Sequence, residues 1–457
     1  MKNNRIRFVI LLLIAFIVPS CGIFPEPQKP DFKAELEALL PNTQFVMAYF
    51  SGSDHSRFQL TWMQQQAGVR GIHGSVDRYG LISDHLQETW DLYYRMIYPN
   101  LYMMLVHADN AGSKAYRGIA KVLLAHNIGL MTDAWGDVPN TAALSYSQNA
   151  FATYDKQSDI YPFILEMLSS AITDLGEAMI SDGIKPGPAH DLIYGGNLQN
   201  WIKAANATSL RLMLRMAHKA NDYSLVVPYL NRQLFASNQD DMQYTFTGDQ
   251  QNPFNFFDNT VRNLRMGKFF VDHLIAANDP RLPVFVRRNT QNNEFIGSAP
   301  GESNLNASFI GTAVAAEKAP VYLITFVEQK FIEAEIYHRT GQQALADQAF
   351  EQAVRASLQK YGVSNPQWES QHAAITNVSL EQIITAKYIA LFLNPEVWTD
   401  FRRTGFPRLT PFSSGGADPM AQIPRRLIYP TGEINHNSQN VPSGVTIFTR
   451  MWWDVLR

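Results

Sequence analysis

The chain has almost no cysteine and little charge. Cys21 is the only thiol in 457 residues, so no disulfide can form within the chain. Charged residues make up 17% of the sequence and the net charge is −3, which excludes the basic footprint of a nucleic-acid-binding protein. Beyond the N-terminal run Phe8–Val18, no apolar stretch approaches the roughly 20 residues that span a bilayer. We therefore expect a folded body that lies outside the membrane and binds no nucleic acid.

Familiar catalytic motifs are also missing. The sequence has no H-E-x-x-H, no G-x-S-x-G, no P-loop and no glycine-rich dinucleotide turn. Its eleven histidines are scattered, so neither a metal site nor a cofactor is predicted. Asp133 and Asp137 form the best carboxylate pair, but an acid–base role would require a cleft that gives them different environments. Beside glycine and proline, they are better explained as acceptors for loop N–H groups, with weak calcium binding as the alternative.

The N-terminus has the pattern of a bacterial lipoprotein signal. Basic residues precede the apolar run Phe8–Val18, and Cys21 follows it closely. Residues 1–20 are predicted to be a signal peptide, Cys21 to be acylated, and the proline-rich residues 21–31 to be a tether. Acyl chains would anchor the protein at about 0.8 kcal/mol per buried CH₂. The alternative is a plain secretory signal with a chance cysteine.

Helical periodicity dominates the remaining sequence, residues 32–457, which we expect to form one mostly α-helical domain. Apolar residues recur three or four positions apart in seven segments. The predicted helices are Asp84–Asp109, Ala115–Leu130, Gln157–Leu175, Leu198–Ala220, Val321–Thr340, Gln343–Tyr361 and Leu380–Leu393. Residues 221–320 are richer in Asn, Gln, Gly and Phe, and apart from Met266–Ala277 they predict a loop-rich insertion with short strands. Pro411–Ser443 is predicted to be ordered coil.

One predicted helix pair has the spacing of a tetratricopeptide repeat. Small and large residues occupy the characteristic positions Ala334, Tyr337, Gly341, Ala346, Phe350 and Ala353. Such a pair cannot bury its apolar face alone, so other pairs should stack on it. Ser113–Leu175 resembles a second pair whose connecting turn is stretched into a loop, Leu130–Leu144. Trp135 in that loop is assigned to packing, since an indole is rarely left in water without reason.

Six groups of motifs occur in the same order as in a known family. They are Thr132–Pro139 (TDAWGDVP) followed by Tyr154–Tyr161 (YDKQSDIY), Tyr194–Asn197 (YGGN) with Trp201, Ser209–Arg215 (SLRLMLR), Asn278–Leu282 (NDPRL), Glu396–Gly405 (EVWTDFRRTG) and Pro424–Pro430 (PRRLIYP). By these motifs, which extend over most of the mature chain, the protein resembles the SusD/RagB-like outer-membrane lipoproteins.

The resemblance implies a tetratricopeptide-like helical scaffold, no catalytic activity, and a lipid-anchored position on the outer membrane, facing the cell surface. Family members capture oligosaccharides or other nutrients and pass them to a SusC-like TonB-dependent β-barrel transporter, over which they sit as a lid. A glycan is therefore the expected ligand, with a peptide or another nutrient as the alternative. The weak overall charge bias argues against a highly anionic glycan.

Two aromatic-rich stretches are the candidate ligand site, because relatives build their clefts from loops in broadly these regions. The candidates are Trp62, Arg70, His73 and Tyr79 from the predicted loop Ser51–Ser83, and Asn255, Phe256, Phe257 and Arg262 from Gln250–Arg265. Aromatic faces stack on sugar rings, and polar groups bond to hydroxyls. The alternative for each aromatic residue is burial in the core.

Two other functional classes remain as alternatives. A glycoside hydrolase would place two carboxylates about 5–10 Å apart in a cleft, and a protein-binding scaffold would show a smooth concave helical face without an aromatic pocket. Two arginine-rich motifs could also clamp an anion. Their residues Arg211, Arg215, Asp400, Arg402 and Arg403 are instead expected to form buried architecture.

Overall fold

Most of the chain is helical, as predicted. The computed structural model describes residues 30–144, 151–413 and 422–455. The predicted signal peptide, Cys21 and most of the tether therefore lie outside the described residues. Within Phe32–Arg457, which forms one compact unit, helices pack on helices, and short strands join the loops.

The helices vary widely in length along the chain. In order, they are α1 (Phe32–Ser51), α2 (Asp54–Trp62), α3 (Gly71–Asp77), α4 (Gln87–Leu92), α5 (Tyr98–Ala111), α6 (Lys114–Trp135), α7 (Thr141–Leu144), α8 (Gln157–Ser181), α9 (Leu198–Ala220), α10 (Val227–Leu230), α11 (Pro253–Phe256), α12 (Lys268–Ala276), α13 (Leu282–Phe285), α14 (Phe326–Arg339), α15 (Gln343–Lys360), α16 (Pro366–His372), α17 (Leu380–Ala390), α18 (Glu396–Thr404) and α19 (Thr431–His436). A π-helical turn, Tyr93–Ile97, joins α4 to α5.

Strands in the described residues form three two-stranded antiparallel sheets. The pairs are β1 (Gln66–Gly68) with β3 (Leu264–Met266), β2 (Met242–Thr245) with β6 (Pro320–Ile324), and β4 (Val286–Arg287) with β5 (Phe309–Ile310). β2 to β5 all lie within residues 221–320.

The helices α14 and α15 form the predicted tetratricopeptide pair. Ala334, Ala346 and Ala353 are fully buried, and Gly341 adopts a φ of 75° in the connecting turn, a conformation that favours glycine. α17 packs on both helices and covers part of their apolar surface. The pair is thus stabilised by a neighbouring helix, as expected of such repeats.

The helices α6 and α8 form the second predicted pair. A Cβ at Gly118 would lie 2.6 Å from the Leu175 side chain, so glycine permits the close approach of the two helices. α8 packs on α9, and α9 packs on α14. This chain of contacts joins the second pair to the first across the helical scaffold.

Several predicted boundaries are wrong. α6 continues to Trp135, so the loop begins at Gly136 and not at Leu130. Val321–Ile324 belongs to a strand and not to a helix, because its backbone pairs with β2. A local pattern cannot reveal this pairing, since the partner strand is distant in the sequence.

Several helices lie where periodicity predicted none. α2 and α3 occupy much of Ser51–Ser83, which was predicted to be a loop. α1 was also missed, and it contains Pro41, a residue that usually interrupts a helix. Pro411–Ser443, predicted to be coil, contains α19, although part of that stretch lies outside the described residues.

Candidate functional site

The two candidate stretches meet in space. β1 belongs to the first and β3 to the second, and Gly68 lies opposite Leu264. The N–H of Val69 then donates to the carbonyl of Asn263 at 2.8 Å. The stretches 54–80 and 252–266, which we call the paired segments, are therefore held together by backbone bonds. Their role in ligand binding stays a prediction.

Trp62 lies beneath the surface of the paired segments. Ser53 caps α2 by accepting the N–H of His55, and the helix carries Trp62 into the core, where it is 1% exposed. Its indole N–H donates to the carbonyl of Val76 at 3.1 Å, and its ring lies 5.3 Å from that of Trp398. In this structure Trp62 offers no face to a ligand.

His73 and Phe257 connect the paired segments from within. Both are buried, and their ring centroids are 4.7 Å apart. His73 Nε2 lies 3.0 Å from Asp54 Oδ1, and the Arg57 guanidinium lies 4.1 Å from the Phe257 ring centroid. Burial raises the pKa of Asp54, but bonds from His73 and the charge of Arg57 outweigh burial and hold that pKa below its ordinary range. These buried contacts therefore join the two paired segments beneath their exposed residues.

Asp77, which the sequence did not single out, positions the end of α3. Its carboxylate accepts the N–H of Gly68 at 3.1 Å and that of Gly301 at 2.5 Å. Burial raises the pKa of Asp77 to about 6 despite these bonds. No local motif marks this residue, because one of its partners, Gly301, is distant in the sequence.

Tyr79 has a similar positioning role. It is buried, adopts a φ of 63°, and its hydroxyl oxygen accepts the N–H of Phe412 at 2.9 Å. Burial raises the pKa of Tyr79 to about 12. Tyr79 thus holds another loop against the paired segments.

The asparagines of the second segment bond to backbone. Asn252 caps α11 by accepting the N–H of Phe254 at 2.8 Å, and its amide donates to the carbonyl of Ala319 at 2.9 Å. Asn255 is buried and donates to the carbonyl of Ala315 at 2.7 Å. Their amides therefore hold α11, the short helix that ends at Phe256, against the loop that contains Ala315 and Ala319.

Only some of the predicted ligand residues face solvent. Arg70, Phe256 and Arg262 are exposed, and Phe256 retains 44% of its accessible surface. Ile72 and Val261 were not singled out but are exposed in the same segments. These five side chains, which we call the candidate ligand surface, combine an aromatic ring, apolar groups and two guanidinium groups. Such a set can stack on a sugar ring and bond to its substituents.

A cavity of about 300 Å³ adjoins α11. Rings of Phe254, Tyr322, Tyr361 and Phe392 contribute to its wall. Lys360 also lines it, paired with Asp241 at 2.7 Å and placed 4.3 Å from the Tyr322 ring centroid. Aromatic walls with a few polar groups are typical of ligand pockets. Sequence reasoning missed this cavity because its lining comes from separate parts of the chain.

Two motif arginines lie in a different place, a buried ionic centre formed by Asp133, Arg211, Arg215, Glu328 and Glu396. Arg211 contacts Glu328 at 2.5 Å, Arg215 contacts Asp133 at 2.7 Å, and Arg215 also pairs with Glu396. All five are buried, and buried charges must be paired in this way to avoid a large desolvation cost. The prediction that these arginines pair with buried carboxylates is confirmed.

The EVWTDFRRTG motif extends this architecture. Arg403 pairs with Glu335 and, at 2.9 Å, with Asp400, which also contacts Lys387 at 2.7 Å. Arg402 donates to the carbonyl of Asp133 at 2.7 Å. Burial lowers the pKa of Arg402 to about 9. Arg402 and Arg403 therefore bond to groups in the protein interior, as expected of residues that form buried architecture.

Of Asp133 and Asp137, only the second bonds to groups near the loop after α6 in the described residues. Asp137 accepts the N–H of Gln157 at 2.9 Å and the Lys156 ammonium at 2.8 Å, as expected. Asp133 was expected to accept loop N–H groups as well, which is wrong, because it lies inside α6 and pairs with Arg215.

Trp135 is fully buried at the end of α6 and donates to the carbonyl of Ile428 at 2.9 Å. Its assignment to packing is therefore confirmed. Gly136 then ends the helix with a φ of 83°, and a Cβ there would lie 3.3 Å from the Arg426 guanidinium.

Among the described residues, no helix is both long and apolar enough to cross a bilayer. In the same residues, no group of three or more His, Cys, Asp or Glu could hold a metal ion.

The fold matches solved structures over nearly its whole length. A chitin-binding SusD homolog from Flavobacterium johnsoniae is 23% identical, with a TM-score of 0.78 over 93% of this chain and 99% of that chain. SusD homologs from Bacteroides uniformis and Bacteroides ovatus are 21% and 22% identical, with TM-scores of 0.77 and 0.78. They cover 92% and 93% of this chain and 99% of their own. A comparison with curated proteins finds no match.

These structural likenesses define a SusD-like helical fold. The SusD-like family model described as "Starch-binding associating with outer membrane" matches residues 27–430. Because this match covers most of the chain, the protein belongs to the SusD-like family, and the resemblance carried by the motifs is confirmed.

Proposed function

We propose that the protein is a lipid-anchored, cell-surface binding protein that captures a glycan and delivers it to a SusC-like TonB-dependent transporter. The family is described as starch-binding and associated with the outer membrane, and the Flavobacterium johnsoniae relative is described as chitin-binding. Within this chain, the candidate ligand surface carries the proposal. Phe256 is exposed there at the end of α11, a short helix that buried asparagine bonds hold in place, and such preorganisation lowers the entropic cost of binding.

Binding is better supported than catalysis or scaffolding. Asp133 is paired with Arg215, and Asp137 bonds to backbone and to Lys156, so the carboxylates first considered for acid–base chemistry have structural partners. The aromatic-walled cavity beside α11 is not expected of a smooth protein-binding scaffold. A peptide remains the alternative ligand.

Calorimetric titration of the purified chain from residue 22 onward tests the proposal. Starch-derived and chitin-derived oligosaccharides and a peptide library should be compared, and we expect saturable binding to a glycan without release of reducing ends. F256A should weaken that binding, whereas F151A, another exposed phenylalanine, serves as the matched control. Loss of binding in Y361A alone would place the ligand in the cavity, and turnover or exclusive peptide binding would contradict the proposal.

The anchor and the partner require separate tests in cells. C21A in the full chain should move the protein out of the membrane fraction, since acylation needs the thiol. Unchanged membrane retention would contradict lipid anchoring. Affinity purification of the anchored protein in detergent should recover a TonB-dependent barrel, and its absence would argue against the proposed delivery step.

A further inference from the structure

Arginines crowd around one aromatic ring beside the candidate ligand surface. The guanidinium carbons of Arg262, Arg265 and Arg287 lie 5.2, 3.8 and 4.9 Å from the ring centroid of Phe309. Burial, together with the charges of Arg262, Arg70 and Arg287, lowers the pKa of Arg265 to about 10, although Asp258 opposes the change. The charge of Arg70, which belongs to the other paired segment, therefore also contributes to the electrostatics of this cluster.

The β1–β3 ladder explains why Arg70 and Arg262 come together. Gly68 lies opposite Leu264, and the Val69–Asn263 bond continues the pairing, so Arg70 and Arg262 follow at the same end of the ladder. Like charges that are brought to the same end of a ladder repel each other. Both residues are exposed, where an added anion could relieve this repulsion.

The other two arginines already have partners. Arg287 pairs with Asp258 at 2.7 Å, and Arg265 donates to the carbonyls of Leu264, Arg262 and Leu305. In the part of the chain that the structure describes, neither the Arg70 nor the Arg262 guanidinium forms a hydrogen bond or an ion pair with protein. Asp258 is the acidic partner of Arg287. The cluster of Arg70, Arg262, Arg265 and Arg287 therefore carries more positive than negative charge.

We propose that Arg70 and Arg262 bind the carboxylate or sulfate of an acidic oligosaccharide. This inference rests on the proposed function and narrows its substrate class. A guanidinium matches the planar carboxylate and the sulfate oxygens through paired N–H donors. The exposed apolar side chains of the same surface would contact the sugar ring. The net charge of −3 argued against an anionic glycan, but it averages over the chain and hides this local excess.

The test compares size-matched oligosaccharides that are neutral, uronate-containing or sulfated. We expect the acidic series to bind more tightly than the neutral series, and to weaken as ionic strength rises. The R70Q/R262Q double variant should lose about tenfold or more in affinity for the acidic series, a larger loss than it shows for the neutral series. R232Q is the matched control, because Arg232 is also exposed and lies 3.8 Å from a ring centroid, that of Tyr229.

The outcomes separate this inference from the proposed function. Equal affinity for neutral and acidic oligosaccharides, or acidic binding that R70Q/R262Q leaves unchanged, overturns the acidic-ligand inference while glycan binding stands. Failure to bind any glycan overturns the proposed function itself. The ionic-strength dependence of the unmodified protein tests the inference without relying on the folding of a variant.

Discussion

The buried ionic centre and the candidate ligand surface use arginine in opposite ways. Arg215 is enclosed and matched by two carboxylates, Asp133 and Glu396, whereas Arg70 and Arg262 are exposed and have no ion pair within the described residues. A buried charge needs a partner within the fold, while an exposed one is stabilised by water until a ligand replaces it. The family motifs include Arg215 but neither Arg70 nor Arg262. They therefore mark architecture, and the proposed specificity lies outside them.

Removal of Arg215 should have the largest effect on stability. R215M would leave Asp133 and Glu396 buried without their shared partner, which typically costs about 3–5 kcal/mol. Chemical denaturation should show this loss. The control is R408M, since Arg408 pairs with Glu381 at the exposed surface, and its loss should leave the denaturation midpoint nearly unchanged. A small effect of R215M would mean that the ionic centre does not hold the scaffold together.

Protonation of Glu335 should make part of the free energy of unfolding depend on pH. Burial raises the pKa of Glu335, but pairing with Arg403 outweighs burial and lowers it from the ordinary 4.5 to about 2. Because the folded-state pKa is the lower one, its contribution is present above pH 4.5 and is lost as the pH falls toward 2. E335Q should therefore cost about 2–3 kcal/mol at neutral pH, and the difference from the unmodified protein should shrink in acid.

Unfolding followed across this pH range measures the Glu335 contribution. E381Q is the control, because Glu381 pairs with Arg408 at the exposed surface. If the stability difference between E335Q and the unmodified protein stayed constant from neutral pH to pH 2, the assigned role of the Glu335–Arg403 pair would be wrong.

Substitution of Gly267 should disturb the paired segments without altering any charged residue. An added Cβ would lie 2.0 Å from the carbonyl oxygen of Gln64, so G267A should force the segments apart and cost about 1–3 kcal/mol. Glycan affinity should fall as well. G176A is the control, since a Cβ on Gly176 in α8 meets no neighbour, and alanine there should stabilise the helix by about 0.5–1 kcal/mol. Unchanged glycan binding by G267A would separate the ligand site from the β1–β3 contact.

Phe256 should give the smallest change in stability and a selective change in binding. Because Phe256 retains 44% of its accessible surface, F256A should alter unfolding by only about 0.5–1 kcal/mol, less than truncation of a buried aromatic ring. A lost stacking contact should weaken glycan binding by about 1 kcal/mol. Parallel melting and titration experiments measure both. A marked loss of stability would show that Phe256 belongs to the core.

Local sequence predicted the scaffold better than the candidate site. The spacing around Ala334 and Ala353 predicted a helix pair, because side chains that contact each other along a helix lie three or four residues apart. Asp133 and Val321 were placed wrongly, since a distant arginine and a distant strand decide their conformations. Trp62 and Phe256 are both aromatic, yet one is buried and the other exposed. Composition could not distinguish them.

The sequence by itself determined the helical class, the family and the pairing of Arg211 and Arg215 with buried carboxylates. These properties depend on regular spacing or on the rule that an enclosed charge needs a counter-charge. Only the tertiary structure decided that Arg70 would lie near Arg262 and that Phe256 would face water. The first result depends on where β1 meets β3, and the second depends on how atoms from the whole fold pack around α11.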